Sequence, residues 1–201
     1  MVHRHHRERG SALVIVLLIV ALLIGIGVPL LLLTGTGPKL SGSLRFHEEA
    51  FNAAEAGGDA AVAALRNSLA NGVWTSFEDR YLTLPAGIDI AMDLSGNPNP
   101  GYFRRKTDQE LFQLLDPNGD GTADYPNVLY FHQVFAKNGL GEDDDRVTYT
   151  AFLINDEASG GTVDHTDALL VVIGAVRAGT RILDTVRLEI VLAIEETETA
   201  P

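Results

Sequence analysis

Hydrophobic and polar positions follow three different rhythms along the chain. From Ser11 to Pro38 there is no charge, and Ala12 to Leu33 is almost wholly apolar. A bilayer-crossing helix needs about 20 such residues, so this run predicts a membrane span over 11–33. Next comes helical spacing: Leu44, Phe51, Gly58 and Leu65 recur every seventh position, with Ala54, Ala61, Val62 and Leu69 beside them. That stripe predicts an amphipathic helix over 40–70, rich in helix-favouring alanine. Thr34–Pro38 reads as a flexible joint between the two, and Asn71-Gly72 as the helix stop.

Beyond residue 70 the pattern changes to strands. Gly87–Asp93 alternates; Asn127–Phe135 and Arg146–Ile154 are rich in aromatic and β-branched residues. Ala168–Val176 and Thr185–Ile194 read as the last pair, with Arg177–Arg181 as their hairpin. A long helix followed by consecutive strands predicts an α+β fold. An antiparallel sheet would pack on the C-terminal half of the helix, one sheet face meeting Phe51, Val62 and Leu65. The expected organisation is a basic leader over 1–10, an N-terminal helix over 11–70 and a globular ectodomain over 71–201.

Charge adds orientation. Arg4, Arg7 and Arg9 precede the apolar run, and positive flanks stay cytoplasmic, so the ectodomain is expected on the periplasmic side. The chain carries a net charge of −12. Its leader holds three Arg and one Glu, so removing it leaves about −14. An ectodomain this acidic has no phosphate-contacting surface to offer nucleic acid. There is no cysteine, which excludes disulfides and thiol chemistry.

The border between leader and span has its own signature. Gly10 sits between Arg9 and Ser11, and no Ala-x-Ala site follows the apolar run. This resembles the class III leader of type IV pilins and type II secretion pseudopilins. The resemblance implies a prepilin peptidase cut between Gly10 and Ser11, methylation of the new N-terminus, and a retained helix that packs against other subunits in a filament. Pro29 resembles the family's kinked helix, since proline removes a helical hydrogen bond. Ala50-Phe-Asn-Ala-Ala-Glu-Ala56 resembles the segment after the span in PilX-type minor pilins. Major pilins place Glu fifth after the cut; here that residue is Ile15. The departure implies a minor subunit, as in PilX-type pilins and the tip pseudopilin.

One segment carries chemistry. Asp116-Pro-Asn-Gly-Asp-Gly-Thr-Ala-Asp-Tyr-Pro-Asn127 puts oxygen-bearing side chains at positions one, three, five, nine and twelve. Gly121 stands at position six, where calcium loops turn sharply, and Thr122 at seven can supply a carbonyl. The candidate Ca2+ ligands are Asp116, Asn118, Asp120, Thr122, Asp124 and Asn127. The pattern resembles dockerin and thrombospondin type 3 loops more than an EF-hand, because Asn127 replaces the bidentate Glu and prolines flank the loop. A solvated Asn/Gly turn is the competing reading. Gly141–Arg146 is a second acidic run, read as a solvated loop. His165 near Asp164, Asp167 and Ser159 is too common a combination to define a hydrolase, so the chain is read as not an enzyme.

Together these readings lead to a pilin-like fold and a PilX-type minor pilin, a structural and assembly subunit of a type IV pilus or related filament. Its expected life is a single-pass inner-membrane protein, then a filament subunit exposed outside the cell. The alternatives are a tip pseudopilin of a type II secretion system, or a membrane-tethered calcium-binding domain without a filament role.

Overall fold

The computed structural model describes residues 6–82, 105–125, 127–137, 139–155 and 164–194, with 6–12 and 29–40 described by backbone alone. The elements are α1 (His6–Ala70), α2 (Asp108–Leu115), β1 (Val128–Lys137), β2 (Asp143–Ile154), β3 (Asp167–Ala178) and β4 (Arg181–Ala193). The chain divides into two compact units, Met1–Arg45 and Phe46–Pro201. The expected strand Gly87–Asp93 lies outside the described residues.

In the first unit the expected architecture is corrected. Among the described residues no helix is long and apolar enough to cross a membrane, so a fold led by a transmembrane helix, pilin-like in that respect, is not what the structure shows. The joint at Thr34–Pro38 is corrected too: the backbone stays helical from His6 to Ala70.

The second unit is built on a four-stranded antiparallel sheet in the order β1-β2-β3-β4. β2 and β3 pair without interruption from Val147↔Val176 to Ile154↔Leu169. Every residue from Ala168 to Val176 of β3 is buried. Such an unbroken apolar strand suits a sheet covered on both faces. Leu169, Val171 and Ile173 pack with Leu111, Phe112 and Leu115 of α2. Ala168, Leu170 and Val172 pack with Ala61 and Leu65 of α1, and with Phe77 and Tyr81. Gly72, at φ +67, ends α1, and Val73 donates back to the Ser68 carbonyl at 2.9 Å.

The buried stripe of α1 matches the expected one at Ala54, Gly58, Ala61 and Leu65 and departs from it at Leu44 and Phe51. Ala50, Ala53, Ala54, Gly57, Gly58, Ala61 and Leu65 are buried, whereas Leu44 and Phe51 are 57% and 40% exposed. Small residues win this face because the helix lies almost in contact with the sheet backbone. A methyl at Gly174 of β3 would collide with the Ala50 carbonyl oxygen and lie 2.6 Å from the Ala54 nitrogen. One at Gly57 would lie 2.7 Å from the Tyr149 ring.

These contacts rank two substitutions. Gly174→Ala meets backbone that cannot move alone, and should destabilise by about 3 kcal/mol, the upper end for overpacked sites. Gly57→Ala meets Cβ, Cγ and Cδ2 at the root of the Tyr149 side chain, which can shift only in part, and should destabilise by about 2 kcal/mol. Urea unfolding of both variants checks the order; equal losses would disprove the close approach at Gly174.

Candidate metal-binding loop

The loop that starts at Asp116 is mounted on α2. Thr107 caps that helix: its Oγ1 accepts from the Glu110 amide at 3.3 Å, while the Glu110 carboxylate accepts from the Thr107 amide at 2.8 Å. The Thr107 amide, first, and the Thr107 hydroxyl, which donates to the same carboxylate at 2.9 Å, hold the Glu110 carboxyl below its usual pKa. Leu111, Phe112 and Leu115 bury the inner face of α2, each worth about 1.5–3 kcal/mol as a buried side chain. Arg187 of β4 adds an ion pair to Asp108 and donates to the Lys106 carbonyl at 2.8 Å. The helix end is thereby tied to the sheet, and the loop begins from a fixed point.

Within the loop, side-chain oxygens collect backbone amides. Asp116 accepts from Gly119 at 2.8 Å and Asp120 at 3.1 Å through one oxygen, and from Gly121 at 2.9 Å through the other. Asn118 Oδ1 accepts from the Asp120 amide at 2.8 Å, and Asn118 Nδ2 donates to Asp124 at 3.0 Å. Asp120 accepts from the hydroxyl and the amide of Thr122 at 2.6 and 2.8 Å, which holds its carboxyl below the usual pKa. Gly121 has φ +88, the conformation the sharp turn requires. The Asp124 amide closes the loop by donating to the Leu115 carbonyl at 2.8 Å.

Asp116, Asn118, Asp120, Thr122 and Asp124 are thus brought into one hydrogen-bonded turn. Asn127 does different work: at φ +71, its Nδ2 donates to the carbonyls of Asp79 and Tyr81 at 2.9 and 3.2 Å, clamping that segment. Among the described residues no group of three or more His, Cys, Asp or Glu side chains is placed to hold a metal ion. The donor set is all oxygen, as calcium prefers. Several of those oxygens serve backbone amides in this arrangement.

Beneath the loop is a pair that sequence reasoning missed. His132 sits at an irregularity of β1 with φ +47, and its amide leaves the ladder to donate to Thr150 Oγ1 at 3.1 Å. Its ring faces Arg177, whose Nη2 lies 2.7 Å from Nε2, and Phe112, whose ring centroid is 5.0 Å away. Arg177 also lies over Phe112, 5.2 Å from its centroid. Since arginine only donates, the ring must accept, which requires it neutral. Burial, then the Arg177 charge, push His132 down to about 4, against an opposing pull from Asp116. Burial likewise lowers Arg177, with Asp116 again opposing. No local sequence signal marks this pair, because His132 lies in an ordinary-looking strand and Arg177 beside a hairpin.

The other residues singled out from the sequence are scattered. Gly10 and Ser11 lie in the first turns of α1 and Pro29 further along it, all three described by backbone alone. Ile15 is 55% exposed and Leu65 buried. His47 lies 3.3 Å from Asp184. His165 stacks on Tyr81 at 6.1 Å, while Ser159 lies outside the described residues. In the second acidic run, Asp144 accepts from Arg146 Nε at 2.9 Å and Nη2 at 2.6 Å. Comparison with protein families, with characterised proteins and with solved structures gives no match.

The half-buried histidine gives a pH dependence with a definite sign. Its pKa falls from 6.5 to about 4 on folding, so between those values the unfolded chain binds the extra proton. Stability is full above pH 6.5 and is lost as pH falls toward 4. Thermal melts should drop across that window, and His132→Asn, which tolerates positive φ, should flatten the drop. An unchanged slope in the variant would show that other groups set the acid limit.

Proposed function

We propose that this chain is a structural, non-enzymatic subunit of a helix-packed filament: a minor pilin of the PilX type, matured by a prepilin peptidase after Gly10. The observation that carries this reading is the exposed apolar surface of α1 between Leu13 and Val28, where Leu13 is 67% and Leu18 65% exposed. Folded monomers rarely leave large contiguous apolar patches in water, so such a surface calls for a cover. Helices of neighbouring subunits supply one of the same chemistry. Ile15, uncharged where major pilins carry Glu, supports a scarce or terminal subunit, because a buried carboxylate is retained only where it is paired. A tip pseudopilin of a type II secretion system shares these features. On either reading the Phe46–Pro201 unit faces the periplasm and then the outside of the filament.

Calcium at Asp116–Asp124 is the second part of the proposal. Support comes from the oxygen-only donor set, the turn at Gly121 and the anchoring of both loop ends to α2. The affinity would be that of an extracellular module, about 10⁻⁴–10⁻³ M.

Processing is checked by mass spectrometry of the native protein. The mature chain should begin at Ser11 and carry an N-methyl group, and Gly10→Val should leave it uncut. Normal maturation of that variant would end the pilin reading.

Calcium is checked by melting the full chain in detergent with millimolar Ca2+ and with chelator. Tenfold saturation stabilises by about 1.4 kcal/mol, a shift of a few degrees for a domain of this size. Asp120→Ala should abolish the shift. Coincident curves for the unaltered protein would reduce the loop to a turn.

A further inference from the structure

We propose that a single small monovalent anion of the halide class binds beneath α2, between the guanidinium of Arg177 and the hydroxyl of Thr148. The inference rests on neither the filament reading nor the calcium reading.

Sheet register brings the two groups together. Phe152 and Ile154 of β2, and Ile173 and Ala175 of β3, share a core cluster with Leu111, Phe112 and Leu115 of α2. Every second residue of a strand faces the same side, so Thr148 and Thr150 of β2 and Arg177 of β3 also face α2. The position of Arg177 over the Phe112 ring agrees. Thr148 pairs with Val134 of β1 on one side and with Ala175 of β3 on the other. Arg177 starts on β3, yet its Nη2 ends 2.7 Å from His132 Nε2 of β1. Its side chain therefore crosses the intervening strand β2, where Thr148 and Thr150 stand.

Two polar atoms along that crossing lack the partner that burial demands. Thr150 Oγ1 is taken by the His132 amide at 3.1 Å. Thr148 is only 4% exposed, and among the described residues its Oγ1 has no hydrogen-bond partner. The same holds for Arg177 Nε, a buried atom of a half-buried side chain. Buried polar atoms are rarely left so, and each such atom calls for an explanation.

Charge selects the occupant. Arginine only donates, so Nε calls for an acceptor. Among the described residues no carboxylate lies within ion-pair distance of Arg177. Asp116 is the acid whose charge reaches it, but both Asp116 oxygens are turned to the loop amides of Gly119, Asp120 and Gly121. His132 accepts from Arg177 as a neutral ring and brings no negative charge. A guanidinium taken partly out of water without a counter-charge is costly. Water would meet the hydrogen bonds and leave the charge. An anion that accepts from Arg177 Nε and Thr148 Oγ1 meets both needs. One positive charge calls for one negative charge, and the enclosure of Thr148 favours a small ion.

The test uses the full chain in a mild non-ionic detergent, with a chelator present so that calcium at the loop plays no part. Chloride binding is followed by the line width of the chloride NMR signal at neutral pH. Excess broadening should saturate with chloride and be reversed by bromide. Thr148→Val removes a hydroxyl that has no partner, so the fold is retained. It should weaken binding at least about tenfold, the scale of a hydrogen bond to a charged group. Arg177→Gln removes the charge and should abolish binding. The unaltered protein should melt a few degrees higher in chloride than in gluconate at equal ionic strength, whereas Thr148→Val should melt alike in both. The inference is overturned by no saturable broadening up to about 0.5 M chloride, far beyond the millimolar range of weak specific binding, which leaves the space to water. It is equally overturned by broadening that persists unchanged in both variants, which places the ion elsewhere, or by equal melting of the unaltered protein in the two salts.

Discussion

The approach of α1 to Gly174 sets the terms for the rest of the folded unit. With no side chain at that point of β3, the backbone at Ala50 and Ala54 comes down onto the strand. Everything along the same helix face must then be small, which is why Ala53, Gly57, Gly58 and Ala61 follow and why the first large buried residue is Leu65. Close packing of this kind gains dispersion contacts over a long seam but tolerates no added volume. Larger apolar residues such as Phe51 are turned outward by the same geometry.

A sheet buried by α1 on one face needs a cover on the other, and α2 provides it. Eight residues are too few to hold a helix by propensity alone. The capping box at Thr107, the buried side chains Leu111, Phe112 and Leu115, and the Arg187–Asp108 ion pair act together to hold it. The candidate loop inherits its position from that anchoring. Asp116 ends α2, accepts three loop amides, and sets a negative charge near enough to the half-buried Arg177 and His132 pair to oppose their lowered pKa values. Loop and half-buried pair are therefore linked through Asp116. A change in either should be felt by the other.

Local pattern was sufficient for the elements whose side chains decide their own conformation. The helix end at Gly72 was legible in turn chemistry, and the four strands from Val128 to Ala193 in their β-branched and aromatic content. The loop from Asp116 to Asp124 was legible because its ligand-type residues bond to amides only a few positions away. Other features depended on groups distant in the chain. How closely α1 approaches the sheet was settled by a glycine more than a hundred residues later, so the heptad held at Gly58 and Leu65 but misled at Leu44 and Phe51. Continuity of the helix through Thr34–Pro38 overrode a local signal for a joint. Asn127 looked like a twelfth-position ligand by spacing, yet its amide is taken by Asp79 and Tyr81. The pairing of His132 with Arg177 exists only because β1 and β3 bring them beneath α2, where burial and a fixed positive charge change what the histidine can do. Short-range hydrogen bonding and side-chain alternation are written in neighbouring residues; close approach and burial arise between distant ones, and only the packed chain decides them.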